Sequence, residues 1–238
     1  MGGGLEISAS TARISGNLIR DNQAKIGGGL HVWLSSPHLY QNIIRDNTAV
    51  QTGGGIRFQW GDPTLVNNVI VSNHVEKNHP EIGSGLHIEG ANLTMSHNTF
   101  ARNTSGDDKG SGVYIVDLLD WGQPTINMTN TILADQTVGI FANGVSTLTV
   151  NGVLWYNTPV TITTSPTAVL SVSHQHSGDP AFGADGYHLS AGSAAIDKGL
   201  DASISVDVDG EPRPAGAGYD LGADELWIKV YLPVVVNE

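Results

Sequence analysis

The chain has 238 residues, with 11 Lys plus Arg against 23 Asp plus Glu and a formal charge of -12. That sign disfavours nucleic acid and anionic lipid as partners, since both need basic patches. Thirty glycines, only 14% charged residues and no cysteine suit a turn-rich β protein with a neutral polar surface; they exclude disulfides, zinc–thiolate sites and a cysteine nucleophile.

Met1 is followed directly by Gly2-Gly3-Gly4-Leu5, without the pattern of a secretory leader. This tetrapeptide is the first copy of a marker. Gly-Gly/Ser-Gly-apolar returns at Gly27–Leu30, Gly53–Ile56, Gly83–Leu86 and Gly110–Val113, with a worn copy at Gly139-Ile140. A second marker, Asn-x-apolar-x-x-Asn, spans Asn17–Asn22, Asn42–Asn47, Asn68–Asn73 and Asn98–Asn103, with degraded copies at Asn130–Asp135 and Gly152–Asn157. Its first position advances by 25, 26, 30, 32 and 22 residues. Two independent markers keeping one period define a structural repeat.

Each copy reads as short strands. Leu30-His31-Val32, Ile56-Arg57-Phe58, Leu86-His87-Ile88 and Val113-Tyr114-Ile115 follow the glycines and alternate apolar, polar, apolar, the signature of a half-buried strand. The Asn block places Ile19, Ile44, Ile70, Phe100, Ile132 and Leu154 at one matched position, and Ile14, Leu39, Leu65 and Met95 three residues before its first Asn. No repeat holds an amphipathic stretch of helical length, which excludes tetratricopeptide and ankyrin arrays.

The expected fold is therefore all-β: a right-handed parallel β-helix of about six coils over residues 1–176, followed by an irregular C-terminal segment over 177–238. Glycine serves corners with positive φ or close backbone approach, and Asn tolerates the left-handed region and stacks its amides into ladders. Because the chain opens inside a repeat marker, truncated N-terminal coils and an export signal are expected upstream. Val160–Val172 reads as irregular strands of a last coil.

From Ser177 the texture changes. Asp179–Phe182 (Asp-Pro-x-Phe), Tyr187–Leu189 (Tyr-x-Leu), Ser193–Gly199 (Ser-x-Ala-Ile-Asp-x-Gly form), Asp207–Arg213 (Asp-x-Asp-Gly-x-Pro-Arg) and Asp220–Glu225 (Asp-x-Gly-Ala-x-Glu) follow in order. These blocks resemble the segment that follows right-handed β-helix repeats in secreted bacterial proteins of the choice-of-anchor Q family, on a pectate-lyase-like superfold. The resemblance implies an extracellular or cell-surface protein and implies no reaction. Val230–Val236 is apolar, interrupted by Pro233, and shorter than the roughly 18 residues of a membrane span. It reads as a terminal β segment covering the last coil or the remnant of a sorting tail.

Candidate chemistry lies where the repeat does not dictate the residue. One position after each apolar marker stand Glu6, His31, Arg57, His87 and Tyr114; two further stand Ser8, Trp33, Gln59, Glu89 and Val116. Stacked coils turn these into two stripes on one face, with Trp60, Asp62, Asp117, Asp120 and Trp121 near its end. Aromatics beside acids and amides suit a sugar ring. Hence His31, Trp33, Arg57, Gln59, Trp60, His87, Glu89 and Tyr114 are the candidate ligand-binding set, with Tyr40 added to the same stack. The same stripes also arise in any solenoid that binds nothing.

Asp107, Asp108 and Lys109 in Ser105–Gly112 are the candidate catalytic set for a polysaccharide lyase or glycosidase. The acids would take calcium beside a uronate carboxylate, with the lysine as base. An acidic loop before a strand explains them more simply, since a fold does not imply a function. Asp207-Val208-Asp209-Gly210 lacks the spacing of a calcium loop and reads as a turn held by an Asp207–Arg213 pair. His174 and His176 share a strand face without a third ligand, so no metal ligands are assigned and calcium is the one ion entertained. Asn92, Asn103 and Asn127 open Asn-x-Ser/Thr triplets that arise by chance in such a chain. Two functions remain open: an exported structural or adhesin-like module gripping a polysaccharide or surface glycan, and an enzyme on acidic polysaccharide.

Overall fold

The computed structural model describes residues 2–77, 82–106, 110–117 and 123–227. Among them there is no helix, and none long and apolar enough to cross a membrane. Every strand pair is parallel and joins one repeat to the next.

The first sheet has seven strands: Leu5–Ser8, Leu30–Trp33, Ile56–Gly61, Gly83–Ala91, Ser111–Val116, Val138–Asn143 and Val160–Thr164. The second has eleven, nine in a continuous path and two added beside Thr125–Ala134. It begins as two rows, one from Arg13–Ser15 and one from Leu18–Arg20, which merge in Thr125–Ala134 and continue through Thr147–Tyr156 to Val169–Ser177. The third has four short strands, Gln23–Ile26, Thr48–Thr52, His74–Val75 and Thr104–Ser105. Val160–Thr164 and Val169–Ser177 are thus regular strands, more ordered than their Thr/Ser-rich sequence suggests, because each is templated by the strand beneath it.

Inward positions stack in columns. Ile7, Val32, Phe58, Ile88, Ile115 and Ala142 are in register along the first sheet, and Leu39, Leu65, Met95, Met128 and Val150 along the second. All join one continuous buried core. Apolar residues at strand spacing are buried here because every coil supplies the floor of the next.

The glycines and asparagines hold the corners. Gly27 and Gly53 have φ of +59° and +67°. A Cβ on Gly28 would stand 2.4 Å from Gly54 O and 2.7 Å from Thr48 C, a backbone approach that no side chain permits. Asn17, Asn42, Asn68 and Asn98 form one ladder, each Nδ2 donating to the next Oδ1 at 3.0, 3.0 and 3.2 Å. Asn22, Asn47, Asn73 and Asn103 form a second at 2.9, 3.0 and 3.0 Å. Each interior amide also donates to a backbone carbonyl, as Asn73 does to Ile44 O at 2.9 Å.

The left-handed corner does not fall on the ladder asparagines. It falls one residue earlier, at Asp21, Gln41, Asp46, Asn67, Ser72, His97 and Arg102. The preceding residue turns the chain, so that the Asn side chain can point inward to its ladder.

This offset corrects the expected register of the fifth coil. Asn130 and Asp135 have φ of 51° and 53° and are corner residues, not ladder residues. Thr99 pairs with Ile132 and Phe100 with Leu133, which places Thr131 above Asn98 and Gln136 above Asn103. Leu133 and Trp155 therefore continue the Ile19, Ile44, Ile70, Phe100 column. Ile132 and Leu154, expected there, face the other way. A one-residue shift exchanges the two faces of a strand.

Ile132 and Leu154 are nonetheless buried, in a second cluster with Val69, Val71 and Ala101. The cover is the C-terminal segment. Leu189, Ala195, Val208, Leu221 and Ala223 lie on the outer face of the second sheet. Corner residues grip it: Gln41 Nε2 donates to Asp207 O at 2.5 Å, Asn67 Nδ2 to Val206 O at 2.7 Å and Asn130 Nδ2 to Leu200 O at 2.6 Å. His97 Nε2 lies 2.9 Å from Asn130 Nδ2 beneath it.

The sequence blocks of this segment clamp one another. Arg213 was expected to pair with Asp207; it pairs with Glu225, Nη1 to Oε2 at 2.7 Å. Asp207 is occupied by backbone amides instead, its Oδ1 accepting from Asp209 and Glu211 at 2.9 and 2.8 Å and its Oδ2 from Glu225 at 3.2 Å. The apolar stretch Val230–Val236 lies outside the described residues.

Candidate ligand-binding face

The strands of the first sheet start at the glycine corners, so the residues after each marker share one register. Glu6 pairs with His31, His31 with Arg57, Arg57 with His87 and His87 with Tyr114, and Phe141 follows. The second stripe, Ser8, Trp33, Gln59, Glu89 and Val116, is equally in register.

The first stripe is not an open surface. His31, His87 and Tyr114 are 6%, 5% and 4% exposed. Long side chains on adjacent rungs, about 4.8 Å apart, close over one another. The His87 and Tyr114 rings lie 5.0 Å apart, and Tyr114 meets Phe141 edge-on at 5.5 Å. Burial, and then the neighbouring Arg57 charge, lower the His87 pKa to about 3. It is a neutral stacking ring at physiological pH. Burial also lowers His31, opposed by its hydrogen bond to Gln59.

Arg57 donates to Glu89 on the next coil through Nη2 and to Thr52 Oγ1 at 3.1 Å through Nη1. Gln59 Oε1 lies 3.2 Å from His31 Nε2. These contacts interlock the two stripes into a rigid polar floor.

Trp33 is different. It is 41% exposed, at the end of its strand, with its ring 6.5 Å from that of Trp60 at 63°. Trp60 has φ of +58°, which swings its indole along the solenoid. A Cβ on Gly90 would meet Trp60 Cδ1 at 2.9 Å, so glycine there leaves room for the ring. Trp33, Trp60, Gln59, Arg57 and Glu89 thus come together.

Tyr40 does not join them. It lies on the second sheet under Arg13, whose guanidinium carbon sits 5.4 Å from the ring centroid. Both line a cleft of about 440 Å³ with His38 and Thr64, a feature the stripe pattern could not reveal because it lies on another face. Asp62 accepts from Asn92 at 2.8 Å, and Asp117 from the Val145 amide at 3.4 Å. Asp107, Asp108, Lys109, Asp120 and Trp121 lie outside the described residues.

Residues 1–118 match the model of the family described as "Right handed beta helix region". The chain is a right-handed β-helix repeat protein. No curated protein and no solved structure matches it. Within this β-helix, the corner residues and ladders carry geometry, and the Trp33 end of the first sheet is one place where polar and aromatic side chains meet solvent. His174 and His176 lie on the last strand, Val169–Ser177; His174 Nδ1 is 2.9 Å from Asn151 Oδ1 on the strand it pairs with. No motif or spacing groups His188 with Asp209 and Asp224, yet one ligand atom from each lies within 4.8 Å of the others.

Proposed function

We propose that this β-helix is an exported, cell-surface or secreted module that binds carbohydrate at the Trp33 end of its first sheet and catalyses no reaction on it. The observation that carries the reading is the exposed Trp33 ring, braced by Trp60 and set beside Gln59 and the Arg57–Glu89 pair. A pyranose offers an apolar C–H face for an indole and hydroxyl edges for amide, guanidinium and carboxylate. The interlocked floor holds these groups in place before any ligand arrives, which limits the ordering cost of binding. Export is supported by the resemblance of the Asp179–Glu225 blocks to the choice-of-anchor Q segment.

The experiment is a glycan array followed by titration calorimetry with neutral and acidic polysaccharides, with and without calcium. A saturable signal that weakens at least about tenfold in Trp33→Ala, with the polymer left intact, supports the reading. No signal, or a signal indifferent to Trp33, overturns carbohydrate binding. Release of unsaturated sugars or new reducing ends overturns the non-catalytic part.

A further inference from the structure

The C-terminal segment carries a cluster separate from the Trp33 face. His188 comes from the Tyr-x-Leu block, Asp209 from Asp-x-Asp-Gly and Asp224 from Asp-x-Gly-Ala-x-Glu. Folding back onto the solenoid brings the three blocks together. His188 Nε2 lies 2.6 Å from Asp209 Oδ2, and a donor atom of Asp224 lies within 4.8 Å of both partners' donor atoms.

Each donor is held by something behind it. His188 Nδ1 faces Asp185 Oδ2, while Asp185 Oδ1 accepts the amides of Tyr187 and His188 at 3.1 and 3.2 Å. A carboxylate on the far nitrogen orients an imidazole and raises its basicity, the usual support of a metal-ligating histidine. Asp224 is 5% exposed, and its Oδ2 accepts the Leu189 amide at 2.6 Å. His188 and Asp209 remain partly open, with side chains 32% and 46% exposed, which leaves an entry path and room for water in the coordination shell.

Charge points the same way. Three carboxylates surround one imidazole, so the group stays net negative even with the histidine protonated. The nearby Arg45 is engaged by Asp46 at 2.6 Å. We propose that His188, Asp209 and Asp224 bind a divalent transition-metal cation, zinc being the best match, with Asp185 as the positioning residue behind the histidine. One nitrogen and two carboxylate oxygens fit zinc; calcium and magnesium prefer oxygen alone. A tetrahedral site needs donors roughly 3.3 Å apart, reached from the present spacing by small side-chain rotations. The proton between His188 and Asp209 leaves to solvent as the metal enters.

The test is calorimetry on the full chain, stripped with chelator and titrated separately with zinc, manganese and calcium chlorides, alongside thermal melting. Expected are one equivalent of zinc with a raised melting temperature and calcium at least about tenfold weaker. Asp209→Asn and His188→Gln should each lose at least about tenfold in affinity, and Asp185→Asn about 10- to 100-fold. His174→Ala, on the distant last strand, should bind as wild type. The proposal is overturned if no one-equivalent binding occurs, or if binding persists unchanged in Asp209→Asn. Asp209 is exposed, so that variant decides the matter even if His188→Gln does not fold. Absence of binding would leave His188 as an imidazolium bridging Asp185 and Asp209.

Discussion

Arg213 and Glu225 form an ion pair at 2.7 Å with neither side chain exposed. Arg213 also donates to Gly222 O at 2.9 Å, and Glu225 accepts the amides of Ala215 and Asp220 at 2.8 and 3.0 Å. The pair joins the Asp-x-Asp-Gly-x-Pro-Arg block to Asp-x-Gly-Ala-x-Glu. Removing one partner leaves the other charge buried and uncompensated, which costs about 3–5 kcal/mol. Glu225→Gln should therefore lower the unfolding free energy of the cover by about that amount in urea titration.

The fifth-coil register predicts opposite outcomes for adjacent residues. Leu133 faces the solenoid core and Ile132 faces the C-terminal cover. Leu133→Asp should abolish folding. Ile132→Asp should retain the β far-UV circular dichroism while releasing the cover, seen as rapid proteolysis within residues 178–227. Equal damage from both would contradict the register.

Two glycines separate conformational freedom from close approach. Gly16 has φ of +68° and open space where a Cβ would stand, whereas a Cβ on Gly28 would strike Gly54 O. Gly16→Ala should cost about 1 kcal/mol, the left-handed penalty alone. Gly28→Ala must push two coils apart and should cost upwards of about 3 kcal/mol. Thermal melting of the two variants measures the difference.

Buried histidines give the protein an acid limit. Burial lowers His87 and His97 from 6.5 to about 3, with Arg57 and Arg213 respectively adding to the shift. The unfolded chain binds these protons first, so each contribution is complete above 6.5 and is lost as pH falls toward 3, at about 1.4 kcal/mol per pH unit. Asp220 and Asp224, raised by burial from 3.8 to about 6 and about 7, act in the opposite sense. Their contribution is present below 3.8 and lost as pH rises through those values. Comparing His87→Phe with wild type cancels the aspartates. The fall in stability between pH 7 and pH 5 should shrink by about 2 kcal/mol in the variant, read from denaturant unfolding at each pH.

The repeat was legible because its residues answer local demands. Gly28 must be glycine to let Gly54 pass, and Asn47 and Asn73 must be amides to donate and accept along one ladder. A sequence therefore states its own period, and with it the solenoid and the order of the two stripes. The register offset at Asn130 has a specific cause. An Asn in a left-handed corner looks the same in sequence as an Asn in a ladder, and only the Phe100–Leu133 pairing separates them.

Burial was not legible in the same way. His31, Trp33 and His87 occupy equivalent outward registers, yet Trp33 alone of the three stays open, because exposure depends on the length and packing of neighbours one coil away. Nor could periodicity place the C-terminal cover, whose contacts join Ala223 to Thr99 and Leu200 to Asn130. Sequence by itself determined the repeat, the ladders and the stripes, since stacking makes them properties of each coil. Tertiary structure alone decided which stripe residues meet solvent, which face of the fifth coil points inward, and that His188, Asp209 and Asp224 share one place. Those are outcomes of packing between segments far apart in the chain.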